Sequence, residues 1–158
     1  MSYEIDPRLN TIFDLKGKLT MVGWLALATA PLWSWATMVA SLVIALLCLI
    51  YVYLLAFGRK YDGGAPEPGP RDFFSLKGVL RVFQNPRTTL AGWTHFLAFD
   101  LFVGLFIVMD SQQIGLSHWL VLPLLFATLM FGPAGLLLYI ILRVIMSGDL
   151  AELDLAVF

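Results

Sequence analysis

The sequence predicts an all-α polytopic membrane protein with four transmembrane helices in two parallel two-helix repeats, plus an interfacial amphipathic helix. The chain of 158 residues is 59% hydrophobic and 13% charged, with a mean hydropathy of +0.84. A soluble domain has about twice that charged fraction. The apolar residues also form long blocks, as expected for helices that cross a bilayer core of about 30 Å. We therefore expect one membrane domain that includes the whole chain.

The first two apolar blocks predict a helical hairpin, helices 1 and 2, within residues 19–57. Residues 1–18 are mixed and charged and are expected to be a cytoplasmic N-terminal segment. The first block contains Pro31, and the second, about residues 36–57, has no interruption. The turn between them, at residues 32–35, is short and aromatic, which is typical of a membrane–water interface.

Residues 58–89 form the only long polar connection, which we predict to be a cytoplasmic loop. Residues 63–70 are rich in glycine and proline and predict an exposed linker. Residues 73–84 predict an amphipathic helix, which lies in the interface or caps the helix bundle. Its apolar residues recur at helical spacing with basic residues between them: Phe73, Leu76, Leu80 and Phe83.

The last two apolar blocks predict helices 3 and 4 within residues 90–143. Helix 3 is expected over Leu90 to Met109, and helix 4 over about His118 to Leu142 with Pro123 and a Gly-Pro-Ala-Gly segment inside it. A proline within a membrane helix usually introduces a kink. Residues 144–158 are expected to be a cytoplasmic tail.

The distribution of basic residues predicts the orientation. All ten Lys and Arg lie before helix 1, between helices 2 and 3, or at Arg143 after helix 4. By the positive-inside rule, both termini are cytoplasmic, and the expected location is a bacterial inner membrane. The net charge of −1 gives no reason to expect nucleic acid as a partner, so membrane lipid is the partner that the composition predicts.

A short motif indicates an internal repeat. Residues 13–19 (FDLKGKL) resemble residues 74–80 (FSLKGVL), and each copy precedes a Gly-Trp pair. When the copies are aligned on these pairs, His95 and Asp100 fall opposite apolar residues of the first copy. The polar residues therefore occur in the second repeat alone, which favours a functional site on helix 3.

Asp100 is the principal candidate residue. It lies near the middle of helix 3, where a carboxylate costs at least about 2.5 to 3.5 kcal/mol on insertion scales. The rise of a helix places it level with residues 130–132 of helix 4, and no Lys or Arg is expected at that depth. We expect Asp100 to be protonated. It then acts as a catalytic or ligand-polarising acid, or it forms a hydrogen bond to a threonine or a carbonyl group and so joins two helices.

His95 is the second candidate. It lies about 7 to 8 Å along the helix from Asp100 and about 140° around it, so the two do not form a simple dyad. It is a second acid–base group, an axial ligand of one pigment, or a packing histidine, with Tyr51 and Tyr139 expected near its depth. His118 lies too far away, about 20 Å, for a haem held by both histidines.

Aromatic and small residues suggest a polyene groove, although packing or lipid contact also accounts for such a pattern. The single cysteine, Cys48, excludes an internal disulfide. The sequence contains no phosphate loop, dinucleotide fingerprint, nucleophile elbow or metal-ligand cluster, so neither a cofactor nor a metal is predicted. The candidate ligand-binding residues are Trp93, Phe96, Phe99, Phe102, Gly104, Gly132, Pro133 and Tyr139.

Three segments resemble the abscisic-acid-deficient-four-like family, which comprises four-helix membrane proteins of plants, algae and bacteria. They are residues 74–86 (FSLKGVLRVFQNP), 92–104 (GWTHFLAFDLFVG) and 131–139 (FGPAGLLLY). The resemblance implies a role in carotenoid metabolism, because plant members are implicated in making neoxanthin from violaxanthin by epoxide opening and allene formation. One departure is that a basic residue often follows the glycine of the second segment, whereas residues 105–107 here are apolar.

Two functions are therefore expected. The first is a cofactor-free enzyme of carotenoid or isoprenoid metabolism that isomerises epoxides or polyenes. In this enzyme Asp100 would donate a proton, and His95 would be the second acid–base group. The alternative is a non-catalytic subunit that binds a carotenoid or chlorophyll, or that supports a photosynthetic pigment–protein complex. In the alternative, Asp100 and His95 are structural or ligating.

Overall fold

The computed structural model describes residues 5–62 and 69–147, and these residues form α-helices and 3₁₀ turns without a strand. The all-α class is confirmed. Short 3₁₀ turns follow α1 at Ala30–Leu32 and α2 at Gly58–Tyr61, and a third precedes α3 at Pro70–Phe74. The six α-helices are α1 (Pro7–Ala28), α2 (Ala36–Phe57), α3 (Leu76–Val82), α4 (Pro86–Gln113), α5 (His118–Phe131) and α6 (Pro133–Ser147).

Two stretches are long and apolar enough to cross a membrane, Ala36–Tyr61 and Pro86–Gln113. Only 22% and 44% of the residues in their most apolar windows are buried, whereas the core helix of a soluble protein is mostly buried. We refer to these two as candidate spans. At 14 and 15 residues, α5 and α6 are each only about 21 to 23 Å long. Four spanning helices in two repeats are therefore not confirmed.

The two copies of the repeated motif differ in secondary structure. Helix α1 begins at Pro7, well before the predicted start at residue 19, so residues 13–19 lie inside it. Residues 74–80 instead run from the end of a 3₁₀ turn into the separate helix α3. The motif similarity therefore does not extend to the local fold.

The predicted helix over residues 73–84 is divided at Ser75, so the prediction of one continuous helix is wrong. Ser75 has extended dihedral angles (φ −143°, ψ 145°), and its hydroxyl accepts a hydrogen bond from the Gly78 amide at 3.1 Å. This is the geometry of a helix N-cap, which starts α3 anew. Gly78 packs directly on the backbone of Asp72. The predicted linker lies mostly outside the described residues.

The predicted single helix 4 is also wrong, because the chain reverses direction at Gly132. Gly132 has a φ of +47°, a left-handed conformation that glycine adopts without steric cost. Three residues later, Gly135 packs against the backbone and hydroxyl of Thr128. Residues seven apart are about 10 Å apart in a continuous helix. Helices α5 and α6 therefore form a tight hairpin.

The structure divides into two compact units. The first contains the described residues of Met1–Leu19 and Ala45–Leu97, and the second those of Thr20–Ile44 and Ala98–Phe158. The core of the first unit comprises Leu9, Leu54, Tyr61, Leu90 and Ala91.

An ion pair ties the start of α4 to the end of α2 within the first unit. Arg87 binds both carboxylate oxygens of Asp62, at 2.7 and 3.0 Å. It also donates to the carbonyl of Leu54 at 3.2 Å, so it satisfies a carbonyl at the end of α2.

Candidate functional site

Asp100 lies in α4, within the second unit, and its side chain is partly exposed. A Cβ atom added at Gly132 would lie 2.5 Å from Asp100 Oδ1. The carboxyl group therefore rests directly on the backbone of the α5–α6 bend. This contact confirms the predicted depth of Asp100 relative to residues 130–132. Over residues 5–62 and 69–147, no hydrogen bond or ion pair holds this carboxyl group.

The backbone amides at the bend donate hydrogen bonds to nearby backbone carbonyl groups. The Gly132 amide donates to the carbonyl of Thr128 at 2.7 Å, and the amides of Gly135 and Leu136 donate to the carbonyl of Gly132 at 3.0 and 3.3 Å. These bonds close the end of α5 and the start of α6. The Asp100 carboxyl group thus meets a backbone that is already satisfied, and its oxygens are available to a bound molecule.

Two threonines of the second unit, Thr128 and Thr29, form hydrogen bonds with groups other than Asp100. Thr128 Oγ1 donates to the carbonyl of Leu124 at 2.8 Å. Thr29 Oγ1 donates to the carbonyl of Leu25 at 2.7 Å and accepts from the indole nitrogen of Trp33 at 3.0 Å. The structure therefore gives no support to a bond between Asp100 and a threonine that joins two helices.

His95 lies in the first unit and is half-buried. Its ring is tilted against Tyr51, with the centroids 5.7 Å apart, and meets Phe96 edge-on at 6.0 Å. The expected proximity of Tyr51 is confirmed. These contacts are those of a packing histidine, and the acid–base or pigment-ligand role of His95 stays a prediction.

The aromatic side chains predicted to bind a polyene lie on the surface of α4. Trp93 and Phe96 are each 51% exposed, and Phe99 and Phe102 are 56% and 42% exposed. Exposed rings on a helix of this length and hydropathy suit contact with lipid or with a lipid-soluble ligand. Ligand binding by these four residues stays a prediction.

Gly104 is not open to a flat ligand, because side chains of α1 occupy the space above it. A Cβ atom at Gly104 would lie 2.8 Å from Cζ3 of Trp24 and 3.1 Å from Cδ1 of Leu27. The small residue thus permits close packing of α1 on α4 within the second unit. Gly132 and Pro133, the other small candidates, form the hairpin bend.

Tyr139 belongs to a buried polar cluster that sequence reasoning missed. Its hydroxyl donates to Asp110 Oδ2. Arg143 donates to the same carboxylate from Nε at 2.6 Å and from Nη2 at 3.1 Å. The expected position of Tyr139 near the depth of His95 stays a prediction, because the two residues belong to different units. Had a reversal of the chain at Gly132 been expected, the sequence would have predicted that Arg143 lies close to Asp110.

The same cluster fixes the position of Arg143 within the second unit. Because Arg143 binds Asp110, it lies beside the end of α4. The predicted sides of the membrane for the basic residues stay a prediction.

The fold and the site define a class of all-helical membrane proteins in which one candidate span presents a carboxyl group with no partner among the described residues. The chain belongs to the ABA4-like family, described as ABA DEFICIENT 4-like, whose sequence model matches residues 11–139. This match confirms the resemblance and relates the chain to carotenoid metabolism. Comparisons with curated proteins and with solved structures returned no match.

Proposed function

We propose that this protein is a cofactor-free isomerase of carotenoid or related isoprenoid metabolism, in which Asp100 donates a proton to an epoxide or polyene. The observation that carries the proposal is the carboxyl group of Asp100, which lies within a candidate span and has no hydrogen bond among the described residues. An acid in this position is costly to insert, so an intramembrane carboxyl group is a functional candidate by default.

The proposed reaction balances without a cofactor. The Asp100 carboxyl group protonates the epoxide oxygen, one carbon–oxygen bond breaks, and the oxygen becomes a hydroxyl group. The positive charge on carbon is delocalised along the polyene. A proton then leaves a neighbouring carbon and returns to the Asp100 carboxylate, so the product is an isomer of the substrate. Exclusion of water prevents capture of the cation as a diol.

The ring of Phe99 supports this assignment. Phe99 is next to Asp100 in α4 and is exposed. An aromatic face attracts positive charge, by about 0.5 to 2 kcal/mol in cation–π pairs. This ring would stabilise the cation, whereas Phe102 lies about 160° around the helix from Asp100 and would hold another part of the polyene. His95 is retained as a second acid–base candidate.

A non-catalytic pigment-binding subunit is the second candidate. It is favoured by the exposed rings of Trp93 and Phe96 and by the ring contact of His95 with Tyr51 in the first unit. In this alternative, pigment is held without being converted, and Asp100 and His95 are structural or ligating.

The substitution Asp100→Asn tests the proposal, because it keeps the shape of the side chain but removes the acid. We expect at least a roughly 100-fold loss of product in cells that make the substrate, since general acids contribute about that much or more. The amount of protein in the membrane should not change. The matched control, Asp14→Asn on the exposed face of α1, should leave product unchanged. Wild-type product levels with Asp100→Asn would refute the enzyme.

A further inference from the structure

Helices α1 and α2 enclose an apolar groove within the first unit. The groove is a cavity of about 310 Å³, lined by positions 12, 15 and 19 of α1 and positions 46, 49, 50 and 53 of α2. Each set follows the spacing of one helix face. All the lining side chains are aliphatic except that of Tyr53. We call this cavity the α1–α2 groove.

The groove opens on the outer surface of a candidate span. Leu15, Leu46 and Leu49 are 52%, 45% and 65% exposed, and α2 belongs to the candidate span Ala36–Tyr61. Seven residues correspond to about 10 Å along each helix. A narrow apolar groove of this length suits one hydrocarbon chain.

The two ends of the groove differ in their position along the candidate span. The core of the first unit contains both Leu9 of α1 and Leu54 of α2, so the start of α1 lies beside the end of α2. The groove therefore has its Tyr53 end near the terminus of the candidate span and its Leu46 end near the middle.

A polar cluster lies at the Tyr53 end. The hydroxyl oxygens of Tyr53 and Tyr61 are 2.6 Å apart. Lys60 Nζ lies over both rings, 5.6 Å from the centroid of Tyr53 and 5.1 Å from that of Tyr61. The side chain of Lys60 is exposed. The two rings therefore hold an accessible ammonium group beside the ring that ends the groove.

The cluster provides donors for an oxygen anion. Each tyrosine has one O–H group and one bond joins the pair, so a second O–H group is left to donate. Tyr61 is only 6% exposed, whereas Tyr53 is half-buried. When Tyr61 donates to Tyr53, the more exposed hydroxyl of Tyr53 keeps its proton for an acceptor outside the pair. The ammonium group of Lys60 adds further N–H donors.

The charges around this end are mainly positive among the described residues. Arg8 lies one turn before the first lining position of α1, on the same face, and acts electrostatically on Tyr53. The Asp62 carboxylate is already bound by Arg87, at 2.7 and 3.0 Å. Asp6 accepts a hydrogen bond from the amide of Arg8 at 2.8 Å. The Tyr53 end of the groove therefore attracts an anion.

We propose that the α1–α2 groove binds one chain of an anionic phospholipid of the bilayer, and that Lys60 and the Tyr53 hydroxyl bind its phosphate. The apolar part of the groove lies near the middle of the candidate span and the cations near its terminus, which is the order of the parts of a phospholipid in a leaflet. A zwitterionic headgroup would add its own ammonium group to this cluster, so an anionic headgroup is preferred. The site does not depend on Asp100 or on the proposed reaction.

Native mass spectrometry of the full-length protein in detergent tests the site, because it counts the lipids that each molecule retains. The protein is mixed with equal amounts of dioleoyl-phosphatidylglycerol and dioleoyl-phosphatidylcholine. We expect one phosphatidylglycerol to be retained about 10-fold more than phosphatidylcholine, which is roughly the effect of one ion pair and one hydrogen bond. Glycerol 3-phosphate, which has the phosphate without the chains, should not be retained.

Three variants and a control separate the parts of the site. Lys60→Gln should reduce the preference to about 2-fold and Tyr53→Phe to about 3-fold, because each removes one donor to the phosphate. The matched control, Lys77→Gln, removes the same charge from an exposed position of α3 and should keep the preference. Leu46→Trp fills the deep end of the groove and should lower retention of both lipids, with its folding checked by circular dichroism.

Equal retention of the two lipids by the wild-type protein, an unchanged preference in Lys60→Gln, or unchanged retention in Leu46→Trp would each overturn the proposal. Equal losses in Lys60→Gln and Lys77→Gln would also overturn it, because they would indicate a general attraction to anions. So would retention of glycerol 3-phosphate as strong as that of the lipid, which would indicate a site for a soluble phosphate. Asp100→Asn should keep the preference, so failure of the proposed reaction is distinguishable from failure of this site.

Discussion

Asp110 and Arg143 form the most deeply buried ion pair among the described residues, and they bind α6 to the end of α4. Their side chains are only 2% and 5% exposed. Removing two charges from water is costly, and only excellent geometry compensates for it. Here Arg143 makes two hydrogen bonds to the carboxylate and Tyr139 makes a third. The pair therefore specifies where the hairpin packs.

The substitution Arg143→Met should lower the free energy of unfolding by about 3 to 5 kcal/mol, because it leaves the Asp110 carboxylate buried without its cation. The control is Arg81→Gln, which breaks the pair of Arg81 with Asp72. Arg81 is 59% exposed, so its loss should cost at most about 1 kcal/mol. Thermal unfolding in detergent measures both. Equal losses would show that the buried pair does not stabilise the hairpin.

Alanine substitutions at Gly132 and Gly115 distinguish the effect of backbone strain from the effect of contact with Asp100. Both have positive φ, +47° and +68°, so alanine should cost about 1 to 2 kcal/mol of stability at either position. Only at Gly132 does the new Cβ meet Asp100, at 2.5 Å, whereas at Gly115 nothing lies within 4 Å. Gly132→Ala should therefore also displace the carboxyl group and lower product yield. A similar loss of product in Gly115→Ala would contradict this role of the bend.

At the scale of elements, the sequence was sufficient to predict the long apolar helices, but it did not predict the helix breaks at Ser75 and Gly132. The uninterrupted residues of α2 and the apolar run in α4 are long enough to fix both helices by hydropathy. The start of α1 was missed because Asp14, Lys16 and Lys18 resemble a loop, yet Lys16 is buried in the first unit beside the rings of Phe13 and Trp93.

The reversal at Gly132 could not be distinguished from a kink by local sequence. Gly-Pro within an apolar block predicts either outcome, and the choice depends on packing of Gly135 on Thr128 and on the distant pair of Asp110 with Arg143. The level of Asp100 was predictable because it depends only on helix rise.

The segment from Pro70 to Phe83 exposes its phenylalanine and leucine side chains, and we expect it to lie in the membrane interface. Phe74 and Leu76 are 88% and 77% exposed, beside basic residues. In a Cys48→Ser background, a spin label at Phe74→Cys should be reached by oxygen and protected from a water-soluble nickel reagent. A label at Lys77→Cys should show the opposite. Equal access of nickel to both would place the segment in water.

At the scale of the whole molecule, the hairpin predicts that the end of α6 lies on the same side of the membrane as the end of α4, because Arg143 binds Asp110. Single cysteines at Gln113 and Ile145, again without Cys48, should react with an impermeant maleimide from the same side. Labelling of the two cysteines from opposite sides would instead restore the predicted single helix 4.

The buried pair also constrains how the chain enters the membrane during synthesis. Asp110 leaves the ribosome before Arg143, and neither α5 nor α6 is long enough to be recognised as a complete crossing. An arginine that enters hydrocarbon alone costs at least about 2.5 to 3.5 kcal/mol, and the waiting carboxylate removes much of that barrier. The hairpin should therefore insert as one unit after α4, with α4 already in the bilayer as its template.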